Sequence, residues 1–267
     1  MSDDPKELLR AYLRQRAELG ETELVLEGLS AEELRALYVR RPERPAARAV
    51  AEPRTGLAAP PGKPSMQPVQ DAPARGASAE EILRLPVLDA VRGVALGCPR
   101  CRLAETRGHV VFGEGSPDAD LLVVGEAPGA DEDRTGRPFV GRAGKLLTLL
   151  LASAGFPREQ VYICNVLKCR PPGNRNPMAD EVDACSPYLL RQVELVKPRV
   201  IAAFGTFAAQ TLLQTQTPIG KLRGRVHDYR GIPLVATYHP AALLRTPAWV
   251  RPTWEDLQRL RGVLDRA

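Results

Sequence analysis

Leu121-Leu-Val-Val-Gly125-Glu-Ala-Pro-Gly129 joins a short apolar run to a glycine-rich turn. Four consecutive apolar residues are enough for a strand buried on both faces of a parallel sheet. Runs of the same kind recur at 161–164, 200–204 and 234–237. Helical patterns separate them at about 143–154, 179–196 and 206–213, and a last one lies near 254–265. Alternation of this kind predicts right-handed crossovers and a three-layer α/β/α sandwich around a four-stranded, mainly parallel sheet. Ligands of such sheets collect at the carboxyl ends of the strands, so the residues that follow each run are the candidates for chemistry.

The first run opens into a segment with five glycines in twenty residues, 125–144, which lets backbone amides approach a ligand closely. The glycine spacing fits neither a Walker A loop nor a dinucleotide fingerprint, which argues against a nucleotide cofactor. Phe139 stands alone among polar and glycine residues, where it can serve as a stacking surface for a flat ligand or as a buried loop anchor. The second run ends at Asn165, whose amide offers an acceptor and donors side by side, enough to read a nucleobase edge; a turn or cap is the plainer alternative. The fourth ends in Tyr238-His239-Pro240. A histidine there, before a proline-fixed turn, can donate to developing negative charge. His109 and His227 lie in polar or alternating segments and read as surface residues.

Four of the five cysteines fall as Cys98-Pro-Arg-Cys101, Cys169 and Cys185. The short C-x-x-C pair puts two thiolates within reach of one metal centre, and two long-range ligands complete it. Met1-Ser-Asp-Asp-Pro5 is acidic and has no apolar core of a signal peptide, which predicts a cytoplasmic, nucleoid-associated protein rather than an exported one. Disulfides rarely persist in that compartment. Of the remaining readings, spacing favours a [4Fe-4S] cluster over zinc and over unligated thiols. Cys164, inside the second apolar run, reads as a small buried hydrophobe.

The formal charge of +5 suits a polyanionic partner, and no apolar stretch reaches the ~18–20 residues of a membrane span. Residues 1–40 carry helical spacing and a capping box at Ser30-Ala-Glu-Glu33, so a helical N-terminal extension is expected there. Residues 41–77 are rich in Pro, Ala and Arg and lack periodic apolar positions, as a disordered linker does. A second capping box, Ser78-Ala-Glu-Glu81, opens the expected domain over 78–267.

Taken together, Gly125-Glu-Ala-Pro-Gly129, the Thr135-Gly-Arg-Pro-Phe139-Val-Gly-Arg-Ala-Gly144 run, Asn165-Val-Leu-Lys168-Cys169-Arg170-Pro-Pro-Gly-Asn-Arg175 and His239-Pro-Ala-Ala-Leu243-Leu244-Arg245, with the four cysteines, closely resemble the family 4 uracil-DNA glycosylases from about residue 88 onward. The resemblance implies an enzyme that flips uracil out of single- or double-stranded DNA and hydrolyses its N-glycosidic bond, starting base excision repair. It implies a [4Fe-4S] cluster on Cys98, Cys101, Cys169 and Cys185, in a structural role. Phe139 would then stack on the extruded base, Asn165 read its polar edge and His239 stabilise charge on its O2. Ala127 stands where family 1 members carry an Asp. Glu126 would line the pocket, and Glu132 would orient water or restrict the pocket against thymine's methyl group. Lys168, Arg170, Arg175 and Arg245 would meet phosphates, and Leu243 or Leu244 would wedge into the gap left by the base. The expected state is a monomer with no membrane partner, with residues 1–77 available to a repair or replication protein. A related branch that traps DNA covalently carries a basic, histidine-containing insertion, and 129–136 has none. A lone cluster without flavin or nicotinamide motifs also leaves an electron carrier without a use for Asn165 and His239.

Overall fold

A computed structural model describes residues 76–266. The expected helical extension at 1–40, and all of the expected linker but its last two residues, lie outside them. The helices are α1 (Ala79–Arg84), α2 (Leu88–Leu96), α3 (Ala130–Thr135), α4 (Arg142–Ser153), α5 (Ala179–Val196), α6 (Thr206–Leu213), α7 (Ile219–Leu222), α8 (Pro240–Arg245) and α9 (Val250–Leu264). The strands are β1 (Glu114–Gly115), β2 (Leu121–Gly125), β3 (Tyr162–Asn165), β4 (Val200–Phe204), β5 (Val226–Tyr229) and β6 (Ile232–Thr237).

They form one sheet in the order β1-β3-β2-β4-β6-β5. The four expected strands are its parallel centre, and β1 and β5 add antiparallel edges, so the sheet has six strands where four were expected. Both edges escape an apolar-run criterion for physical reasons. β1 is two residues long, and β5 faces solvent, with Val226 43% exposed. β5 turns into β6 through Arg230-Gly231, both at positive φ (52° and 84°), the geometry of a two-residue hairpin.

Alternation along the central strands divides the core between two layers. Leu122, Val124, Cys164, Ile201 and Ala203 pack with Leu189 and Val193 of α5 and Ala208 and Leu212 of α6. Leu121, Val123, Ile163, Ala202 and Phe204 pack with Leu147 and Leu151 of α4 and Leu257 and Leu260 of α9. Cys164 is therefore core, as its apolar neighbours imply. The expected capping box holds α1, since Ser78 Oγ accepts from Glu81 N–H and Ser78 N–H donates to the Glu81 carboxylate. α1 and α2 bring Ile82 and Val91 onto Leu103, Phe112, Leu167 and Tyr188, a third cluster that encloses the cysteines.

Parallel register sets the strand ends level. Gly125 pairs with Asn165 and Phe204 with Thr237, so the residues that leave β2, β3 and β6 emerge along one edge of the sheet.

Candidate active site and cysteine cavity

At that edge lies a pocket of about 780 Å³ whose walls include Glu126, Ala127, Glu132, Phe139, Asn165 and His239. Glycines let its parts meet. A Cβ on Gly125 would collide with Asn165 Oδ1 and with the Phe139 ring, and one on Gly144 would collide with the Phe139 carbonyl group. The ring and the amide thus close over a bare backbone floor. Phe139 itself holds a left-handed φ of 51°, a strained setting for an aromatic residue.

Glu132 supplies the restraint that keeps Phe139 there. Its Oε1 accepts from Val140 N–H at 2.8 Å and Gly141 N–H at 3.0 Å, and its Oε2 accepts from Gly129 N–H at 3.1 Å. A carboxylate committed to three backbone donors on both sides of the aromatic loop acts as a clamp on that loop. Glu126 is different: it is half-buried, no hydrogen bond engages its carboxylate among the described residues, and desolvation raises its carboxyl above the ordinary range. The Asn165 amide likewise makes no hydrogen bond within the described protein, although the residue is 2% exposed. Its donors and acceptor remain available to a ligand.

His239 caps α8. Ala241 N–H donates to its Nδ1 at 3.2 Å, so the neutral ring carries its proton on Nε2. Burial, reinforced by the Arg245 charge and only partly opposed by Glu132, lowers the imidazole pKa to about 4. The ring is then a neutral N–H donor at physiological pH, with its centre 5.6 Å from that of Phe139.

Of the residues expected on the DNA, Arg245 is exposed at the pocket rim and Leu244 is half-buried. Arg170 bonds Asn174 Oδ1, and Arg175 forms a fork with the buried Glu181 while still lining the pocket mouth. Two expectations fail. Leu243 is 2% exposed and lies in a cluster with Phe139, Leu147 and Leu257, because α8 packs against α4; it is no wedge. Lys168 is also 2% exposed, and its Nζ donates to Asn165 O at 2.7 Å and to Gln192 Oε1, so it cannot reach a phosphate. Gln192 in turn donates to Phe112 O and Tyr162 Oη. This buried network is invisible in a sequence that reads as a basic loop.

Cys98, Cys101, Cys169 and Cys185 line a second, enclosed cavity together with Arg107, Lys168 and Tyr188. Cys185 arrives on α5 and Cys98 just beyond α2. All four thiols are free of disulfides. Donors surround them: Arg107 Nη1 lies 3.4 Å from Cys169 Sγ, and Lys168 N–H lies 3.3 Å from Cys185 Sγ. The buried Tyr188 hydroxyl in the same wall has no hydrogen-bond partner among the described residues. Burial raises Cys101 and Cys169 and pushes Cys185 up to about 12, so these groups rest as neutral thiols unless a bound cation supplies the charge that makes them thiolates. No three ligand-type side chains among the described residues converge as a single ion requires. Four thiols that line one cavity, two of them met by N–H donors, fit a sulfur-ligated metal centre.

Residues 112–258 match the family described as the uracil DNA glycosylase superfamily. The chain belongs to the uracil-DNA glycosylase superfamily. Among its relatives within that superfamily, the type-4 uracil-DNA glycosylase of Archaeoglobus fulgidus is 47% identical over 167 residues, 60% of this chain and 83% of the relative. The corresponding type-4 protein of Thermotoga maritima is 44% identical over 173 residues, 63% and 90% of the two chains. A type-5 uracil-DNA glycosylase of Pyrobaculum aerophilum is 37% identical over 146 residues, 48% of this chain and 64% of the relative. Superfamily membership accounts for the α/β sandwich and makes DNA a partner of the protein. No helix among the described residues is long and apolar enough to cross a membrane.

Proposed function

We propose that this protein excises uracil from DNA by hydrolysing the N-glycosidic bond of a flipped nucleotide, leaving an abasic site. The observation that carries the reading is the convergence of Phe139, the unengaged Asn165 amide and the neutral Nε2–H of His239 on one pocket at the strand ends. Extrusion costs a few kcal/mol, and stacking on Phe139 with hydrogen bonds from Asn165 to the pyrimidine edge offsets it. Cytosine reverses a donor and an acceptor on that edge and is disfavoured by the same amide.

As the C1′–N1 bond breaks, its electron pair leaves on uracil and charge gathers at O2. His239 Nε2–H meets that charge in place, and one such preorganised donor contributes about 3–4 kcal/mol. A neutral donor suits this role, because it keeps its proton while stabilising the anion. The sugar, left oxocarbenium-like, takes a water oxygen at C1′. Glu126 is the unengaged pocket carboxylate and accepts that water's proton on its way to solvent. Glu132 acts through Phe139, as the clamp on its loop.

The four cysteines would hold a [4Fe-4S] cluster. Its contribution when bound is to tie the 98–101 turn, the loop after Asn165 and α5 into one unit. No proton or electron in the reaction passes through it. Residues 78–267 form the glycosylase domain in this reading, and the protein acts as a monomer with residues 1–77 free to recruit a repair partner.

Incubation with a uracil-containing labelled oligonucleotide should release free uracil and leave a strand cleavable at the abasic site. His239→Ala should lower kcat by about 10²–10³-fold, while the lost cap of α8 costs only about 1 kcal/mol of stability. Full activity in that variant, or a DNA adduct that survives denaturation in place of free uracil, would refute the assignment.

A further inference from the structure

The pocket is far larger than one pyrimidine needs, and its surplus leads to an aromatic pair that the reaction does not use. Tyr238 and Trp249, both in the pocket wall, stack with ring centres 4.5 Å apart and planes 11° from parallel. Trp249 remains 38% exposed, so an indole with one face covered by Tyr238 still offers surface to solvent at the rim of the site. Large exposed aromatic surface of this kind marks a binding surface when it borders a functional cleft.

The pair is held rigidly. Arg223 lies 5.6 Å from the Tyr238 ring centre, and its guanidinium is fixed by both oxygens of the fully buried Asp256 and by Pro252 O. Asp256 also accepts from Thr237 Oγ1 and from Gly224 N–H, so the carboxylate that anchors the arginine anchors the strand end leading to Tyr238 and His239. On the other side, Thr253 Oγ1 donates to Trp249 O. The exposed Arg245, with no ion-pair partner among the described residues, lines the same wall and provides positive charge for a nearby backbone.

We propose that Trp249, seated on Tyr238, is a stacking platform for a nucleobase adjacent to the extruded uracil. This rests on the uracil-excision reading, which fixes where the lesion sits. When uracil leaves the stack, its neighbour loses a stacking partner, and in a single strand that neighbour can turn onto the indole. Aromatic platforms accept any base, because each has a π-face, so the subsite favours single-stranded substrate without reading its sequence.

The test compares uracil oligonucleotides that carry natural neighbours with ones whose two flanking positions are base-free tetrahydrofuran residues. Both contain a cleavage-resistant 2′-fluorodeoxyuridine, and binding is followed by fluorescence anisotropy. Trp249→Ala should weaken binding of the natural single strand by at least about fivefold, which is ~1 kcal/mol, and of the base-free version by less than about twofold. Trp249→Phe, which keeps a stacking ring, should retain most of the difference between the two substrates. Equal losses on both substrates, or no loss on the natural one, would overturn the platform. Uracil release by the wild-type protein on an unmodified strand separates the two failures: release without neighbour dependence removes only the platform, whereas absence of release removes the excision reading with it.

Discussion

The strand-end pocket and the cysteine cavity are neighbours, since Asn165 and Cys169 are four residues apart, yet they are built by opposite rules. The pocket leaves hydrogen-bonding capacity unused: the Asn165 amide, the Glu126 carboxyl and His239 Nε2–H all face open space, and Phe139 is held in a strained conformation by Glu132. The cavity commits its capacity around the sulfurs, the Tyr188 hydroxyl excepted. Arg107 serves Cys98 O and Cys169 Sγ, and the Lys168 backbone serves Cys185 Sγ. A site that binds and releases must keep polar groups unpaired until the ligand arrives, whereas a site that braces the fold gains from pairing them at once. Lys168 belongs to both, with its N–H on Cys185 and its Nζ on the carbonyl of Asn165.

Removing a brace should do the most damage. Cys185→Ala deletes a proposed cluster ligand on α5 and leaves the Lys168 N–H unpaired in a buried position. The visible iron-sulfur absorbance and the iron content should fall together. The melting temperature should drop by about 10 °C or more, since each kcal/mol is worth roughly 2–4 °C in a domain of this size. Unchanged iron and melting would mean that Cys185 does not share the centre with the other three cysteines.

The difference between the regions also decided what the sequence could reveal. The four central strands are continuous apolar runs, and α5 and α6 match their expected bounds, because burial on both faces leaves an unbroken signature. Residue type and place marked Phe139, Asn165, His239 and the cysteines as candidates, with a loop anchor and a cap left open for the first two, and folding brings them to two cavities. What a side chain is paired with was not legible. Lys168 reads as a basic loop residue and Leu243 as an apolar tip, and only packing shows that both point inward. Glu132 lies three residues after Gly129 at the start of α3, a spacing that signals a helix-start clamp, but its reach to Val140 and Gly141 needs the folded loop. Trp249 and Arg107 carry no local signal, because their partners are distant in the chain.

Overpacking the pocket should affect activity more than stability. Gly125→Ala sets a methyl group against the Phe139 ring and Asn165 Oδ1, and 1–3 kcal/mol of displacement at that point should lower kcat/KM by about 5- to 150-fold, while the iron content stays whole. Wild-type kinetics in this variant would show that ring and amide need not meet over a bare backbone. Lys168→Met should fall between the two regions. Asn165 O and Gln192 Oε1 lose their common donor, so stability should drop by about 1–3 kcal/mol and discrimination of uracil over cytosine should weaken as the Asn165 backbone relaxes. A loss of stability with unaltered discrimination would confine Lys168 to the brace.

The smallest effect expected is an absence of change with pH where an ordinary histidine would impose one. The folded imidazole titrates near pH 4, well below its usual 6.5, mainly because its surroundings desolvate the cation. The unfolded chain therefore binds a proton that the folded one refuses between those values. The contribution of His239 to stability is unaffected above about pH 6.5 and turns increasingly unfavourable as pH falls toward 4. The form that the proposed reaction uses follows the same boundary: the ring stays neutral across the physiological range, with Nδ1 accepting from Ala241 and the proton on Nε2. kcat/KM should consequently show no inflection near pH 6.5 and should decline only on approach to pH 4, where protonating Nδ1 breaks the cap of α8. Burial raises the Glu126 carboxyl as well, so the acid limb needs assignment by variant. A limb that persists in His239→Gln but disappears in Glu126→Gln belongs to the water's acceptor. An acid limb near 6.5 that vanishes in His239→Gln would mean that the imidazole is hydrated and titrates as an ordinary histidine, whereas activity lost above 6.5 would mean that it is cationic at bond cleavage.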